Sequence, residues 1–270
     1  MARVAIVTGA AQGIGRAVAL KLAKDGVDVA VADIPPKQDA LEQVVKEIEA
    51  LGRKGLAVTG DVSKEPDVQA IVQKTVEKLG GLDIMVANAG INKVANILEL
   101  PDGQFDAIMN VNVKGVLYCY RAAAVQMIKQ GRGGRIIGAS SRAGIIGEGN
   151  NAAYCASKFA VRAISQTAAL EWGQHDITVN TYAPGIAHTE MRQDILFVII
   201  PNFKTNPTTT VTSTIGTSPE KLKEIVPANA AIRRIGSPEE IAAVVAFLAS
   251  EGASYVTGQT IGVNGGFLLT

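Results

Sequence analysis

Short apolar runs alternate with longer amphipathic stretches along most of this 270-residue chain. The runs are rich in β-branched residues and almost continuously apolar, which is typical of strands buried on both faces of a parallel sheet. The stretches between them carry apolar residues at helical spacing, for example Leu41, Val44 and Ile48. The predicted strands are residues 4–8, 27–32, 56–59, 84–87, 135–139, 178–183 and 259–263.

This alternation predicts an α/β protein in which a seven-stranded parallel sheet is covered by helices on both faces. A (β/α)₈ barrel fits the length equally well, so the alternation leaves both architectures open. No composition break divides the chain, and we expect one domain over residues 1–270. Residues 190–229 interrupt the rhythm, and a long irregular segment in a compact domain is usually a lid or binding loop. Its apolar cluster, 195–200, is interpreted as a substrate lid, a subunit contact or an ordinary core helix.

Composition excludes several classes of protein. Hydrophobic residues make up 47% and charged residues 19%, which excludes a disordered chain. The net charge of +1 gives no electrostatic reason to expect a nucleic acid or an anionic membrane as partner. No apolar run approaches the roughly eighteen residues of a membrane helix, and the first residues enter a strand at once. Two cysteines and two isolated histidines predict no metal site, and we expect a cytoplasmic protein.

A glycine-rich turn follows the first predicted strand, where residues 8–15 read Thr-Gly-Ala-Ala-Gln-Gly-Ile-Gly. Glycines let the backbone approach a pyrophosphate, and the following helix offers free N–H groups and the positive end of its dipole. Asp33 ends the second strand 24 residues after Gly9, where a carboxylate can accept both ribose hydroxyls of an adenosine. Alternatively, the glycines serve only a tight turn and Asp33 only a strand end. We interpret the pattern as a dinucleotide site formed by Gly9, Gln12, Gly13, Ile14, Gly15 and Asp33.

Asp33 also bears on the choice of cofactor. A carboxylate at that position repels the 2′-phosphate of NADP. The neighbouring Gln12 and Ile34 supply no cation to hold such a phosphate, and Arg16 lies beyond the turn on the helix. NAD is therefore favoured over NADP.

Tyr154 and Lys158 are separated by four residues in a stretch of small residues, so they share one face of a predicted helix. A free tyrosine has a pKa of about 10, and lowering it to about 7 requires roughly 4 kcal/mol of preferential stabilisation of the phenolate. A nearby ammonium and a positively charged nicotinamide ring can supply much of that. The pair alone is equally typical of an ordinary solvated helix face.

The chain resembles the short-chain dehydrogenase/reductase family over essentially its whole length. The glycine turn matches that family's motif, and residues 88–90, Asn-Ala-Gly, match most of its fourth-strand motif, with Ala87 replacing a second Asn. Residues 264–266, Asn-Gly-Gly, stand where the family commonly has Asp-Gly-Gly, a change expected to concern packing and oligomer contacts. By resemblance, the further cofactor-binding residues are Asp61, Val62, Asn88, Ala89, Gly90, Tyr154, Lys158, Pro184, Gly185, Ile186 and Thr189.

The family mechanism assigns roles to four residues of this sequence. Tyr154 would be the general acid/base that exchanges a proton with the substrate oxygen during hydride transfer to or from the nicotinamide. Ser141 would hydrogen-bond that oxygen, and Lys158 would lower the pKa of Tyr154 and bind the nicotinamide ribose. Asn112 would position a water molecule that links Lys158 to solvent.

The resemblance implies a Rossmann-type, doubly wound fold, NAD as cofactor, no metal, and a homotetramer formed through the helices flanking Tyr154 and the last strand. The pattern is most similar to the acetoin/diacetyl reductase and 2,3-butanediol dehydrogenase branch, so a small diol or hydroxyketone is expected. The segment 190–229 is longer than that branch requires, so a bulkier hydrophobic alcohol is an alternative substrate. Residues 142–150 and this segment are expected to line the substrate pocket; Arg142, Glu148 and Asn150 are polar, and His188 is a further candidate.

Two other functions are compatible with this fold. A 3-oxoacyl-thioester reductase of the same family would prefer NADPH and need a basic docking patch, and Asp33 argues against it. A non-catalytic dinucleotide sensor on this fold would typically have lost the Tyr or the Lys, and both are present.

Overall fold

A computed structural model of the chain describes residues 2–187 and 230–269. Its centre is a seven-stranded sheet in the order β3-β2-β1-β4-β5-β6-β7, and every pairing is parallel. The strand order reverses direction between β1 and β4, which confirms a doubly wound sheet and excludes the barrel. The strands are β1 Val4–Thr8, β2 Asp28–Asp33, β3 Gly55–Thr59, β4 Ile84–Ala87, β5 Gly134–Ala139, β6 Ile177–Pro184 and β7 Thr260–Val263.

Helices cover both faces of the sheet, because successive side chains of each buried strand point to opposite sides. One face packs against α1, α2 and α7, and the other against α3, α5 and α6. In β1, for example, Val7 belongs to the first core and Ile6 to the second, and both are fully buried. The helices are α1 Gly13–Lys24, α2 Gln38–Ala50, α3 Glu65–Leu79, α4 Asp102–Met109, α5 Gly115–Gln130, α6 Ala152–Trp172 and α7 Pro238–Ala249.

The predicted strands agree with the observed ones to within one residue at nearly every boundary. A capping box begins α7: Ser237 Oγ accepts from Glu240 N at 3.3 Å, and the Glu240 carboxylate accepts from Ser237 N at 2.9 Å. A feature that periodicity did not indicate is a π-helical turn, Asn110–Lys114, between α4 and α5. His175 is exposed at the end of a short turn.

Residues 188–229 lie outside the described residues. The predictions for Thr189, His188, the segment 190–229 and its cluster 195–200 therefore stay predictions. Within the described ranges, no helix has the length and hydrophobicity needed to cross a bilayer.

Candidate active site

The predicted site residues gather at the carboxyl edge of the sheet. Gly9 follows β1, Asp33 ends β2, Asn88 follows β4 and Ser141 follows β5. Parallel strands end at a common edge, and the reversal of strand order between β1 and β4 opens a crevice there. Residues far apart in sequence are thereby placed around one site.

The turn after β1 requires glycine at specific positions. Gly9 and Gly13 have φ values of +64° and +56°, in the left-handed region that favours glycine. A Cβ on Gly9 would lie 2.9 Å from the Ala89 Cα, and a Cβ on Gly15 would overlap the Gly9 carbonyl oxygen. The absence of side chains therefore lets the turn, α1 and the segment after β4 approach one another closely.

Asn88 fastens the two turns together. Its Nδ2 donates to the Thr8 carbonyl at 2.8 Å, and its Oδ1 accepts from the Tyr182 hydroxyl at 2.7 Å. Thr8 Oγ1 in turn accepts from the backbone N–H groups of Asn88 and Ala89 at 3.0 and 3.1 Å. The Asn88 side chain thus connects β1, β4 and β6, and this network holds the floor of the crevice in place.

A cavity of about 420 Å³ opens over this turn. A dinucleotide binds where a glycine-rich turn and a helix N-terminus offer backbone N–H groups to its pyrophosphate, and the residues present fit it. Eleven predicted cofactor residues line the cavity: Gly9, Gln12, Gly13, Ile14, Gly15, Asp33, Asp61, Val62, Asn88, Ala89 and Gly90. Sequence reasoning missed five more lining residues: Ile34, Lys37, Gly60, Ile91 and Val111.

Lys37 places a positive charge at the cavity that Asp33 lines. Its Nζ donates to Gln12 Oε1 at 2.6 Å, and both residues line the cavity beside Asp33. The Asp33 carboxylate accepts from the backbone N–H groups of Ala11 and Ile34 at 3.2 and 2.9 Å. From the sequence, only Arg16 was considered as a nearby cation, and Arg16 is paired with Glu47 on α2. Lys37 is therefore a cation at this cavity that the sequence did not indicate.

Tyr154 and Lys158 lie one turn apart on α6, as predicted, and Ser141 begins the short turn after β5. Lys158 is only 3% exposed; its Nζ donates to the Ala139 carbonyl at 2.9 Å and lies 5.5 Å from the centre of the Tyr154 ring. The ammonium is thus anchored to the end of β5, beneath the tyrosine. A solvated helix face is excluded for this pair, because a solvated lysine would not be buried.

Burial determines the protonation of both groups. Burial raises the pKa of Tyr154 to about 12; the Ser141 hydroxyl opposes this shift, and the negative charge of Glu148 adds to it. Burial lowers the pKa of Lys158 to about 8. At neutral pH the phenol is therefore protonated, as an acid that donates to a carbonyl oxygen must be, and Lys158 stays mostly charged. The predicted lowering of the Tyr154 pKa by Lys158 is thus not found in the cofactor-free chain, because burial of the phenol dominates.

Asn112 lies in the π-helical turn and is fully buried. Its Oδ1 accepts from Ile91 N at 2.8 Å, and its Nδ2 donates to the Ile91 carbonyl at 2.9 Å and to Ser157 Oγ at 3.1 Å. Both amide hydrogens are therefore used within the protein. A Cβ placed on Gly90 would lie 3.2 Å from Asn112 Oδ1 and 3.4 Å from Lys158 Nζ, so Gly90 brings these two side chains to the same corner of the site.

Pro184 ends β6, and Gly185 and Ile186 follow it on the same edge. Gly185 N donates to the Val263 carbonyl at 3.0 Å, and a Cβ on Gly185 would lie 2.9 Å from the Asn264 Cα. The start of this segment is therefore fixed against β7 and the residues after it. Thr189, the last residue predicted to contact the cofactor, is outside the described residues.

Family models match almost the whole chain. A model described as short chain dehydrogenase matches residues 3–196, and one described as enoyl-(acyl carrier protein) reductase matches residues 204–268.

Several curated proteins are similar over nearly their full length. A short-chain dehydrogenase/reductase of Armillaria gallica is 47% identical, with 98% of this chain and 96% of the relative covered. The L-2,3-butanediol dehydrogenase of Corynebacterium glutamicum is 40% identical, with 99% of both chains covered. The 3-oxoacyl-[acyl-carrier-protein] reductase FabG of Thermotoga maritima is 36% identical, with 99% of this chain and 98% of the relative covered.

Solved structures give the same picture. A short-chain type dehydrogenase/reductase from Mycobacterium marinum superposes with a TM-score of 0.86 at 34% identity, covering 99% of this chain and 96% of that one. The acetoin dehydrogenase YohF from Salmonella typhimurium has a TM-score of 0.81 at 33% identity, with the same coverage. Levodione reductase has a TM-score of 0.86 at 31% identity, covering 98% of this chain and 96% of that one.

Proposed function

This chain belongs to the short-chain dehydrogenase/reductase family, whose members are oxidoreductases, and we propose that it interconverts a secondary alcohol and its ketone with NAD(H). The observation that carries the proposal is the position of Tyr154, Ser141 and Lys158. All three stand at the carboxyl edge of the sheet, beside the cavity formed by the glycine turn and Asp33. A nicotinamide dinucleotide, when bound, supplies or accepts the hydride.

The side chains at this edge have complementary tasks. Tyr154, protonated at neutral pH, donates to the carbonyl oxygen during reduction and takes the proton back during oxidation. Ser141 hydrogen-bonds the same oxygen and orients it. The positive charge of Lys158, held 5.5 Å from the tyrosine ring, favours the phenolate that oxidation requires. Asn112 holds the loop at Ile91 against α6 and so supports the corner where Lys158 lies.

We propose NAD rather than NADP as the physiological cofactor. Asp33 lines the cavity, and a carboxylate there favours a free ribose diol and repels a 2′-phosphate. Lys37 acts in the opposite direction, because its ammonium lies beside the same position. The preference is therefore expected to be a moderate one, with measurable use of NADPH.

For the substrate we propose a vicinal diol or hydroxyketone of the 2,3-butanediol and acetoin type. The similarity to a butanediol dehydrogenase and to an acetoin dehydrogenase supports it. A bulkier hydrophobic ketone is supported by the similarity to levodione reductase. Lys37 and the FabG relative favour the second candidate, a 3-oxoacyl-thioester reductase that uses NADPH.

We also propose a homotetramer that assembles through α5 and α6. Both helices leave large apolar side chains in solvent: Val125 is 64% exposed, Phe159 43% and Leu170 87%. Such residues are typical of a surface that is covered by another subunit. Light scattering coupled to gel filtration would give four times the chain mass of 28.1 kDa, and a monomer would contradict the proposal.

Initial rates of NADH oxidation with a panel of ketones test the reaction and the substrate together. The panel holds diacetyl, acetoin, a bulky cyclic diketone and an acetoacetyl thioester, each repeated with NADPH. Rapid NADH-linked turnover of diacetyl or acetoin is the expected result, and turnover of the cyclic diketone alone would select the bulkier class. Turnover of the thioester alone, with NADPH, would contradict both the substrate and the interpretation of Asp33.

A further inference from the structure

A charged pair stands directly beside the catalytic serine. Arg142 follows Ser141 in the turn after β5, and its Nη2 lies 2.6 Å from Glu148 Oε1. The two side chains are only 20% and 22% exposed. Ion pairs on an open surface contribute little to stability. This pair is mostly removed from water, and charges interact more strongly when water is excluded.

Three parts of the chain hold the pair in place. Glu148 Oε2 accepts from Asn151 Nδ2 at 3.2 Å, and Glu148 N donates to Cys155 Sγ at 3.3 Å, which ties the loop to the start of α6. The Arg142 guanidinium lies 4.2 Å from the centre of the Phe267 ring, near the end of the chain. Phe267 lines a cavity together with Ile186 of the segment after β6. The pair therefore belongs to the loop wall between Ser141 and Tyr154, in contact with Cys155 on one side and Phe267 on the other.

One charge of the pair, that of Glu148, influences the reacting group, Tyr154. The Glu148 carboxylate is near enough to Tyr154 to raise the pKa of its hydroxyl, and both Arg142 and Glu148 affect the pKa of the Cys155 thiol. A guanidinium in such a position is a strong donor to oxygen and binds carboxylates readily when it is unpaired. Here its charge is balanced by Glu148, so the wall is polar but carries no net charge.

We propose that the Arg142–Glu148 pair selects the substrate: Arg142 donates to a second oxygen next to the reacting carbonyl, and Glu148 excludes ketones that carry a carboxylate. This inference rests on the proposed ketone reduction and narrows its substrates to neutral, oxygen-rich ketones. A pair that merely fastened the loop to α6 would affect all ketones equally, and that difference makes the proposal testable.

The first test compares two substrates that differ in the second oxygen. The ratio of kcat/KM for diacetyl to that for 2-butanone is measured with NADH in the wild type and in Arg142→Met. We expect the ratio to fall about tenfold or more in the variant, since hydrogen bonds to charged groups have effects of that size. A ratio of two substrates does not depend on the fraction of folded enzyme, so a loss of stability cannot imitate this result.

The second test addresses the charge of Glu148. The ratio of kcat/KM for acetoacetate to that for its neutral methyl ester is measured in the wild type and in Glu148→Gln. We expect the ratio to rise about tenfold or more, because Arg142 then lacks its counter-charge and can bind the carboxylate. Arg121→Met, which removes the pair between Arg121 and Glu65 on α5 and α3, is the control and should leave both ratios unchanged.

The outcomes separate this proposal from the one it rests on. If the wild type reduces the neutral ketones and neither ratio changes in the two variants, the pair is a structural clamp and the selection proposal is wrong. If the wild type reduces none of these ketones with NADH or NADPH, the proposed function itself fails.

Discussion

Around β1 and β2, the surface of the site is mostly backbone, whereas around β5 and α6 it is made of side chains, of which Lys158 is buried. We call the first region, with Gly9, Gly15 and Asp33, the glycine end, and the second, with Tyr154 and Lys158, the tyrosine end. At the glycine end, backbone segments lie so close together that a single Cβ on Gly15 would overlap the Gly9 carbonyl oxygen. The tyrosine end works by burial, which moves two pKa values in opposite directions.

This difference indicates which residues determine cofactor binding and which determine turnover. Changes at the glycine end should alter which cofactor is held and how tightly. Removing the Tyr154 hydroxyl at the tyrosine end should alter proton transfer and leave the cofactor bound.

The largest binding effect is expected for Gly15→Ala. The added Cβ would meet Gly9 O and lie 2.6 Å from Asn88 Nδ2, and overpacking of this kind costs about 1–3 kcal/mol. NADH binding, followed by fluorescence titration, should weaken about tenfold or more. Gly173→Ala is the matched control, because a Cβ there meets nothing within 4 Å. Unchanged affinity in Gly15→Ala would show that the turn tolerates a side chain.

The next effect concerns cofactor choice. Asp33→Ser removes the carboxylate at the ribose position and should narrow the NADH-over-NADPH ratio of kcat/KM by about tenfold. Asp39→Asn, an exposed change in the first turn of α2, is the control and should leave the ratio unchanged. If the ratio in Asp33→Ser equals that of the wild type, selectivity must lie elsewhere.

A smaller effect should appear in the pH dependence of stability. The pKa of Lys158 is about 8 in the folded protein and about 10.5 when the chain is unfolded, so between these values the unfolded state holds more protons. The contribution of Lys158 to the free energy of unfolding should therefore rise from pH 8 towards pH 10, while the Cys119 thiol, whose pKa burial raises to about 12, acts in the opposite direction above about pH 9. Urea unfolding of the cofactor-free wild type and of Lys158→Met isolates this rise as the difference between the two proteins, and the rise should be absent from the variant. A rise of equal size in both proteins would assign it to other groups.

The smallest effect is expected for Lys37→Gln. Removing this partly exposed cation should lower kcat/KM for NADPH by a few-fold and affect NADH less, with the difference shrinking at high salt. Lys46→Gln, an exposed lysine on α2, controls for general charge effects. Equal losses of kcat/KM with both cofactors would show that Lys37 does not contribute to cofactor selectivity.

Much of the fold and the site could be predicted because the signals are local. Buried strands show as continuous apolar runs, and the glycine turn and the spacing of Tyr154 and Lys158 are readable over a few residues. The alternation could not distinguish a barrel from an open sheet, because the order of strands leaves no trace in periodicity.

The features that the sequence did not predict depend on how the chain folds back to bring distant residues together. Lys37 reaches Gln12 only because a short turn, Pro35–Lys37, brings the chain back over the cavity. Residues 142–150 were predicted to line the pocket, but the pairing of Arg142 with Glu148 depends on how that loop folds back. Likewise, the amide of Asn112 has its partners 21 and 45 residues away.

Tyr154→Phe tests the separation of the two ends most directly when NADH binding and turnover are measured on the same preparation. The substitution removes only the hydroxyl, so NADH affinity should stay within about twofold of the wild type. Turnover of diacetyl should fall by about 10²–10⁴-fold, the contribution of a positioned general acid. Turnover close to that of the wild type, or a loss of NADH binding equal to the loss of turnover, would contradict the account.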